Sequence, residues 1–305
     1  MKRILVVGAS SMIGVNIAIA LRRSHRVFGT YRNHRPELDA IPVYPLSLSS
    51  GAEIRESVRR LQPDIVVYCA AETDEHRCAA DPIGALAVNA EAADIFAREL
   101  LAVGGSLIYL STSKVFSGEK GGYRETDKRD GHTWYGQTKI KAESLLEPLT
   151  NVVILRLGTV FGIGQFTARS FLNRLLRDLI FQRPIPLVTD ELRSFCSVEE
   201  VGRLIRLLAD RLPGAPSSSG IFHVGPPEKL SYHAFACQLA EAFALPTSNL
   251  RPIPGSELMH RAPGAAREND LSLRAEELTR TLGFQARSIP ESLARLRFSL
   301  QNGKQ

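Results

Sequence analysis

A phenol and an ammonium four residues apart, Tyr135 and Lys139, are the side chains best suited to moving a proton in this sequence. On a helix that spacing puts both on one face, and Thr133-Trp134-Tyr135-Gly136-Gln137-Thr138-Lys139 reads as the opening of one. Upstream, residues 106–110 read as an apolar strand that ends in Ser111-Thr112-Ser113. A hydroxyl at a strand's carboxyl end lies where open α/β sheets hold their ligands. The three groups would form a proton-transfer site: Tyr135 as acid or base, Lys139 lowering its pKa, Thr112 holding a substrate oxygen. An unperturbed tyrosine ionises near pKa ~10, and a nearby cation favours its phenolate; each tenfold gain in that ionisation corresponds to roughly 1.4 kcal/mol. The competing reading is a surface tyrosine and an exposed lysine on an ordinary helix.

Strand, glycine turn and helix follow one another at the N-terminus. Residues 4–7 have a buried-strand pattern, Gly8-Ala9-Ser10-Ser11-Met12-Ile13-Gly14 is a turn of small residues, and 15–21 is apolar and helical. That is the context a dinucleotide fingerprint requires. Gly8 permits the tight turn and Gly14 close helix–strand packing, with a pyrophosphate resting on the helix N-terminus among Ser10, Ser11, Met12 and Ile13. A plain βα turn also uses glycine, so the pattern is read with what comes next. After a second strand at 26–29 the chain runs Thr30-Tyr31-Arg32-Asn33-His34-Arg35-Pro36, with no acidic residue before Glu37. An NAD site usually carries a carboxylate here for the ribose, whereas an arginine accepts a 2′-phosphate. NADP(H) is therefore expected over NAD(H), with Tyr31 and Arg32 at the ribose and Arg35 as second choice. A solvated basic turn is the alternative.

Alternation continues through strand 41–45, helix 51–61, strand 64–69, a long helix over 81–103 bearing Asn89, strand 106–110, helix 133–147 and strand 152–157. It predicts an α/β fold, a doubly wound parallel sheet of Rossmann type. Past Gly158 the texture changes. A basic amphipathic helix over 166–181 is broken by Arg183-Pro184-Ile185-Pro186, and a helix at 197–212 precedes a loop at 213–219. A strand at 221–224 and helices near 231–244, 274–282 and 290–300 complete the chain. The expectation is a dinucleotide-binding domain over 1–160 and a smaller mixed α/β substrate lobe over 161–305, interleaved with it and closing over ligand.

Composition narrows the function classes. The 305 residues carry a net charge of +6, mild for the length, with no Lys/Arg run and no aromatic-interleaved basic stripe. That favours a small anionic ligand over a nucleic acid. Cys69, Cys78, Cys196 and Cys237 are scattered without zinc-ligand spacing. They read as reduced thiols in a cytoplasmic protein that holds no metal. Met1-Lys2-Arg3 before a short apolar run imitates a signal peptide, but Gly8 ends the run too soon. No stretch is long enough to span a bilayer.

Gly8…Gly14, Thr112 and Tyr135-Gly-Gln-Thr-Lys139, in that order, resemble the extended short-chain dehydrogenase/reductase family, and the similarity covers nearly the whole chain. Within it, Pro63-Asp-Ile-Val-Val-Tyr-Cys-Ala-Ala-Glu72, Leu110-Ser-Thr-Ser-Lys-Val-Phe-Ser-Gly118, Tyr123-Arg-Glu-Thr-Asp127 and Gly220-Ile-Phe-His-Val-Gly225 are similar to two groups. These are the dTDP-4-dehydrorhamnose reductases and the regulatory (beta) subunit of methionine adenosyltransferase. The resemblance implies Tyr135 as proton donor, Lys139 on the nicotinamide ribose and Thr112 on the reacting oxygen. It further implies cofactor contacts at Ser47, Leu48, Cys69, Ala70, Ala71 and Asn89, and substrate contacts at Glu72, Thr73, Ser113 and Lys114. Arg193-Ser-Phe-Cys-Ser-Val198 resembles a segment of nucleotide-sugar epimerases and dehydratases whose arginine meets a diphosphate, and Arg267 stands where a second one often does. The planar guanidinium fork suits that work; the competing reading is ion pairing with Glu200 or Glu268.

The chain departs from the family pattern at four places: Ser11-Met12 for a third glycine, Ser47 for an adenine-contacting Asp, Ser113-Lys114 for Asp-Tyr, and Arg267-Glu-Asn-Asp270 for Arg-Pro-x-Asn. Two function classes follow from the resemblance. One is an NADPH-dependent reductase of a nucleotide-activated 4-keto sugar, alone or as a homodimer. The other is a non-catalytic NADP-holding regulatory subunit with a larger partner, toward which residues 230–253 lean. A nucleotide-sugar epimerase or dehydratase is a third reading. The missing acid after the second strand and the Ser113-Lys114 pair speak against it.

Overall fold

The computed structural model describes the chain apart from residues 166–169, 215–218, 258–267 and 304–305. In chain order the first half runs β1 (Arg3–Val7), α1 (Met12–Leu21), β2 (Arg26–Tyr31), β3 (Val43–Pro45), α2 (Gly51–Leu61), β4 (Ile65–Tyr68), α3 (Glu75–Ala80) and α4 (Pro82–Leu86). A π-helical turn (Ala87–Glu91), α5 (Ala92–Ala102), β5 (Ser106–Thr112), α6 (Trp134–Leu146) and β6 (Val152–Leu157) follow. The second half begins with β7 (Thr159–Phe161), α7 (Phe171–Ile180), β8 (Ile185–Val188), β9 (Leu192–Arg193), β10 (Phe195–Ser197), α8 (Val198–Arg211) and β11 (Gly220–Val224). It ends with β12 (Leu230–Ser231), α9 (Tyr232–Phe243), β13 (Leu250–Ile253), β14 (Asp270–Leu271), α10 (Glu276–Leu282) and α11 (Ile289–Gln301).

Seven parallel strands form the central sheet in the order β11-β6-β5-β4-β1-β2-β3. Side chains alternate between its faces. Ile4 and Val6 pack with residues of α1, α8 and α10, while Leu5 and Val7 pack with residues of α2, α5 and α6. Both faces are covered, which is why the strands read as unbroken apolar runs. Strand order reverses at β1, so the crevice beyond the carboxyl ends of β1 and β4 is the topological switch point where such sheets hold ligands.

The structure differs from the sequence-based expectations in several places. Residues 81–103 are not one helix: α4, the π turn and α5 share them, and the separate α3 precedes them. Asp74 and Asp81 each cap a new start, and Pro82 stands in the first turn of α4. Strand β5 continues to Thr112, so Ser111 and Thr112 are paired in register with Arg156 and Leu157 of β6. The segment at 221–224 joins the large sheet as β11 beside β6, and α8 contributes to the core under α1. The chain therefore returns to the first half after leaving it. Helix α7 begins at Phe171, and part of the expected 166–181 helix lies outside the described residues. Arg183–Pro186 leads into β8 and does not merely break a helix. A second core around Phe161, Phe195 and Phe235, with Phe195 stacked on Phe235 at 4.2 Å, holds α7, α9 and α11 together.

Candidate active site

Two glycines close the turn after β1. Gly8 has φ +81°, and a Cβ on it would lie 2.8 Å from the Ala70 amide nitrogen. A Cβ on Gly14 would lie 2.2 Å from the Gly8 carbonyl oxygen, so α1 sits directly on the turn. Where a third glycine is usual, Ser11 caps α1: its hydroxyl accepts from the Gly14 amide at 2.9 Å and its own amide donates to Gly8 at 3.0 Å. The amides of Met12 and Ile13 have no carbonyl to bond within the helix, and the first turn holds no carboxylate. This cradle fits a pyrophosphate. Ser10 lines the same turn, partly buried.

Tyr31 ends β2, partly exposed, with Arg32 and Arg35 exposed beyond it. After β3 the Ser47 hydroxyl meets that of Ser49 at 3.0 Å, and Leu48 packs on the core. Cys69 extends the β4 ladder, its amide donating to Val7 at 2.9 Å, and Ala70 and Ala71 are partly exposed, Ala70 lying against Gly8. Asn89 differs from its expected place at the cofactor. It is fully buried in the π turn, and its carboxamide is spent on the protein. Oδ1 accepts from the Glu72 amide at 2.8 Å, while Nδ2 donates to the Glu72 carbonyl at 2.9 Å and to Thr138 at 2.8 Å. Asn89 thus braces the 70–73 loop against α6. Among the described residues no cluster of His, Cys, Asp and Glu could hold a metal ion, and no helix is long and apolar enough to cross a membrane. The cysteines are unpaired, with Cys78 and Cys196 buried.

Thr112, Tyr135 and Lys139 converge at the end of β5. Thr133 caps α6 by accepting from the Gly136 amide at 3.1 Å, which fixes the start of that helix. The Thr112 hydroxyl, which accepts from the Lys114 amide at 3.3 Å, lies near the Tyr135 phenol. Burial pushes that phenol above its ordinary pKa; the nearby Thr112 hydroxyl opposes the rise, and Cys78 and Glu75 add to it. This corrects the expectation that Lys139 lowers it. The ammonium lies 5.9 Å from the Tyr135 ring centroid and is engaged elsewhere, donating to the Tyr109 hydroxyl at 3.0 Å and to the Leu110 carbonyl at 2.8 Å. Lys139 is only 2 % exposed, and burial pushes its pKa down to about 7, against the pull of Glu143 and Cys69.

Several neighbours of this corner escaped the sequence reading. Glu143 and Arg156 are 0 % and 1 % exposed and joined by hydrogen bonds of 2.7 to 3.1 Å. Ser111 donates to Glu143 at 2.5 Å and Arg129 at 3.3 Å, so both carboxylate oxygens are satisfied. The signal was there: an arginine inside the apolar strand Val152–Leu157 must be buried, and a buried arginine needs a carboxylate. Glu75 accepts from the Tyr135 amide at 3.0 Å, a carboxylate at a helix N-terminus. Six-residue α3, which carries it, is too short to show a period.

The substrate side is built from joints. Glu72 pairs with Arg77 at 3.2 Å, Thr73 is exposed, and Ser113 is buried in a 3₁₀ turn (Ser113–Val115). Lys114 pairs with Glu268 at 2.8 Å and Glu75 at 3.5 Å, linking the two halves. Arg193 is not open to a diphosphate in this arrangement. It is 6 % exposed, donates to the carbonyls of Leu192 and Glu268 at 2.9 Å, and pairs with Glu191 at 3.2 Å and Glu268 at 3.9 Å. Arg267 lies outside the described residues. Glu200, the other partner considered, is buried and taken by Arg203 and Arg287.

Comparison with known proteins agrees with this architecture. The "RmlD substrate binding domain" family matches residues 1–301. The beta subunit of methionine adenosyltransferase 2 from Pongo abelii is 30% identical over 301 residues, covering 96% of this chain and 87% of that one. Bacillus anthracis dTDP-4-dehydrorhamnose reductase, solved in complex with NADP, superposes with a TM-score of 0.80 at 22% identity over 98% of this chain and 99% of that one. The Bordetella bronchiseptica enzyme WbmG, solved with NAD and UDP, gives 0.81 at 19% identity over 99% of this chain and 96% of that one. The chain belongs to the RmlD substrate-binding-domain family, among the extended short-chain dehydrogenases/reductases.

Proposed function

We propose that the protein is an NADPH-dependent reductase of a nucleotide-activated 4-keto sugar, with Tyr135 as proton donor. The reading rests on the convergence of Thr112, Tyr135 and Lys139 at the end of β5, with β4 alone between that strand and β1, which the glycine turn follows. A bound reduced nicotinamide would supply the hydride. Thr112 would hold the carbonyl oxygen, and Tyr135 would protonate it as negative charge develops there. A phenol held above its ordinary pKa stays protonated at neutral pH, which suits a donor. Lys139 spends two of its three N–H donors on Tyr109 and Leu110, leaving one for a ribose hydroxyl. Arg32 would meet the 2′-phosphate, and Glu72, Thr73, Ser113 and Lys114 the substrate.

A thermal-shift panel of NAD, NADP and UDP-, GDP- and dTDP-sugars tests this. A ligand that binds only the native state raises the melting temperature. NADP and at least one nucleotide-sugar should do so; a chain indifferent to every dinucleotide would not be this reductase.

The 30% identity to a methionine adenosyltransferase beta subunit supports a second reading, an NADP-holding regulatory subunit. Affinity purification from the native cell separates the two. A larger enzyme recovered at fixed stoichiometry would favour regulation; recovery of this chain alone would count against it.

A further inference from the structure

We propose that Tyr109 is the positioning residue for Lys139: its phenol, seated on the Asn89 carbonyl of the π turn, fixes where the ammonium stands. The proposal deepens the function proposed above, on which the ammonium's work at a ribose rests. A π turn bonds i to i+5 and interrupts the regular α-helical ladder, and such turns gather at functional sites. Here two neighbouring strand tyrosines meet its carbonyls. Tyr68 of β4 donates to Val88 at 2.6 Å and Tyr109 of β5 donates to Asn89 at 2.5 Å. The two tyrosines are register partners, both fully buried.

Once its proton is committed to Asn89, the Tyr109 oxygen can only accept, and it faces the Lys139 nitrogen at 3.0 Å. The ammonium also stands 4.4 Å from the Tyr109 ring centroid, a cation–π distance. Water has little access to a side chain 2 % exposed, so its acceptors come from the protein. The other ionisable groups facing it are Glu143 and Tyr135 on its own helix α6 and Cys69 after β4. Glu143 is already shared among Arg156, Arg129 and Ser111. Removing the Tyr109 hydroxyl would leave the ammonium one acceptor short where its charge is hardest to hold.

NMR titration of the protein carrying [ε-13C]lysine reads this directly, with the Lys139 signal assigned through Lys139→Arg. Tyr109→Phe should lower the Lys139 midpoint by about one pH unit or more, since a hydrogen bond to a charged group is worth roughly that much. Tyr68→Phe removes the twin bond to the same turn without touching Lys139, and should leave the midpoint within a few tenths. An unchanged midpoint in Tyr109→Phe, or an equal fall in both variants, would overturn the proposal. Should Tyr109→Phe not fold, the unsubstituted protein still decides: a nuclear Overhauser contact between the Lys139 Cε protons and the Tyr109 ring must be present. None of this needs a bound dinucleotide, so a failed ligand panel would end the reductase reading and leave this result standing.

Discussion

The proton-transfer corner and the substrate rim are built in opposite ways. Thr112 stands on β5, Tyr135 and Lys139 on α6, and Asn89 in the π turn, with buried bonds tying Asn89 to Thr138 and Lys139 to Tyr109 and Leu110. Lys114, by contrast, lies in the 3₁₀ turn after β5, Glu268 just ahead of β14 and Arg193 in a strand of two residues, and their charges meet mostly one another. Regular elements hold geometry to the tolerance that proton transfer needs. Joints between halves tolerate substitution, and two of the departures from the family pattern, Ser113-Lys114 and the described residues 268–270 of the last, fall there. Under the proposed function, the chemistry would belong to the scaffold and the choice of sugar to the joints.

The largest test of that contrast is Tyr135→Phe. Reduction of a keto-sugar should fall about 10²–10⁴-fold, the usual weight of a general acid, while the NADP-induced thermal shift stays as it was. Next is Arg156→Met, which removes the closest cation from the fully buried Glu143 carboxylate and leaves it to Ser111 and Arg129. Denaturant unfolding should show a loss of about 3–5 kcal/mol. Stability should also depend on pH through Lys139, whose pKa in the folded chain is about 7 against 10.5 for the ordinary group. Between those values the unfolded chain binds the extra proton, so stability rises with pH across that window, by up to roughly 1.4 kcal/mol per pH unit. Denaturation at about pH 7 and about pH 9 should show that gain in the native chain and its loss in Lys139→Met; equal slopes would mean the ammonium is not buried. Arg32→Ala should cost about tenfold in the preference for NADP over NAD, one charge-assisted bond. Smallest of all, Lys114→Met, at a side chain 33% exposed, should move stability by less than about 1 kcal/mol. A loss at Lys114 as large as that at Arg156 would erase the distinction between corner and rim.

Periodicity made the scaffold legible, because a parallel sheet covered on both faces writes apolar strands between amphipathic helices. Gly8 and Gly14 were readable for the same reason: a Cβ at either meets backbone. The π turn was not readable, since the hydroxyls that meet its carbonyls come from Tyr68 and Tyr109 on other elements. Asn89 stands out in the sequence, but spacing says nothing of where a carboxamide turns, and it turns inward to Glu72 and Thr138. Arg193 is a middle case: ion pairing with Glu268 was legible as an alternative, but only the way β9 meets β14 decides that it prevails. The pKa of Tyr135 goes the other way from the expectation because proximity along a helix does not measure desolvation.

Hydride transfer beside Tyr135 is the claim everything else serves, and isotope tracing reads it. The protein is incubated with NADPH carrying deuterium at both C4 positions and a nucleotide-activated 4-keto sugar, and the sugar is weighed by mass spectrometry. One deuterium should appear on the sugar with the native chain and vanish with Tyr135→Phe. A chain that binds NADPH yet passes no deuterium to any such sugar, or passes it equally well without the phenol, would contradict the account.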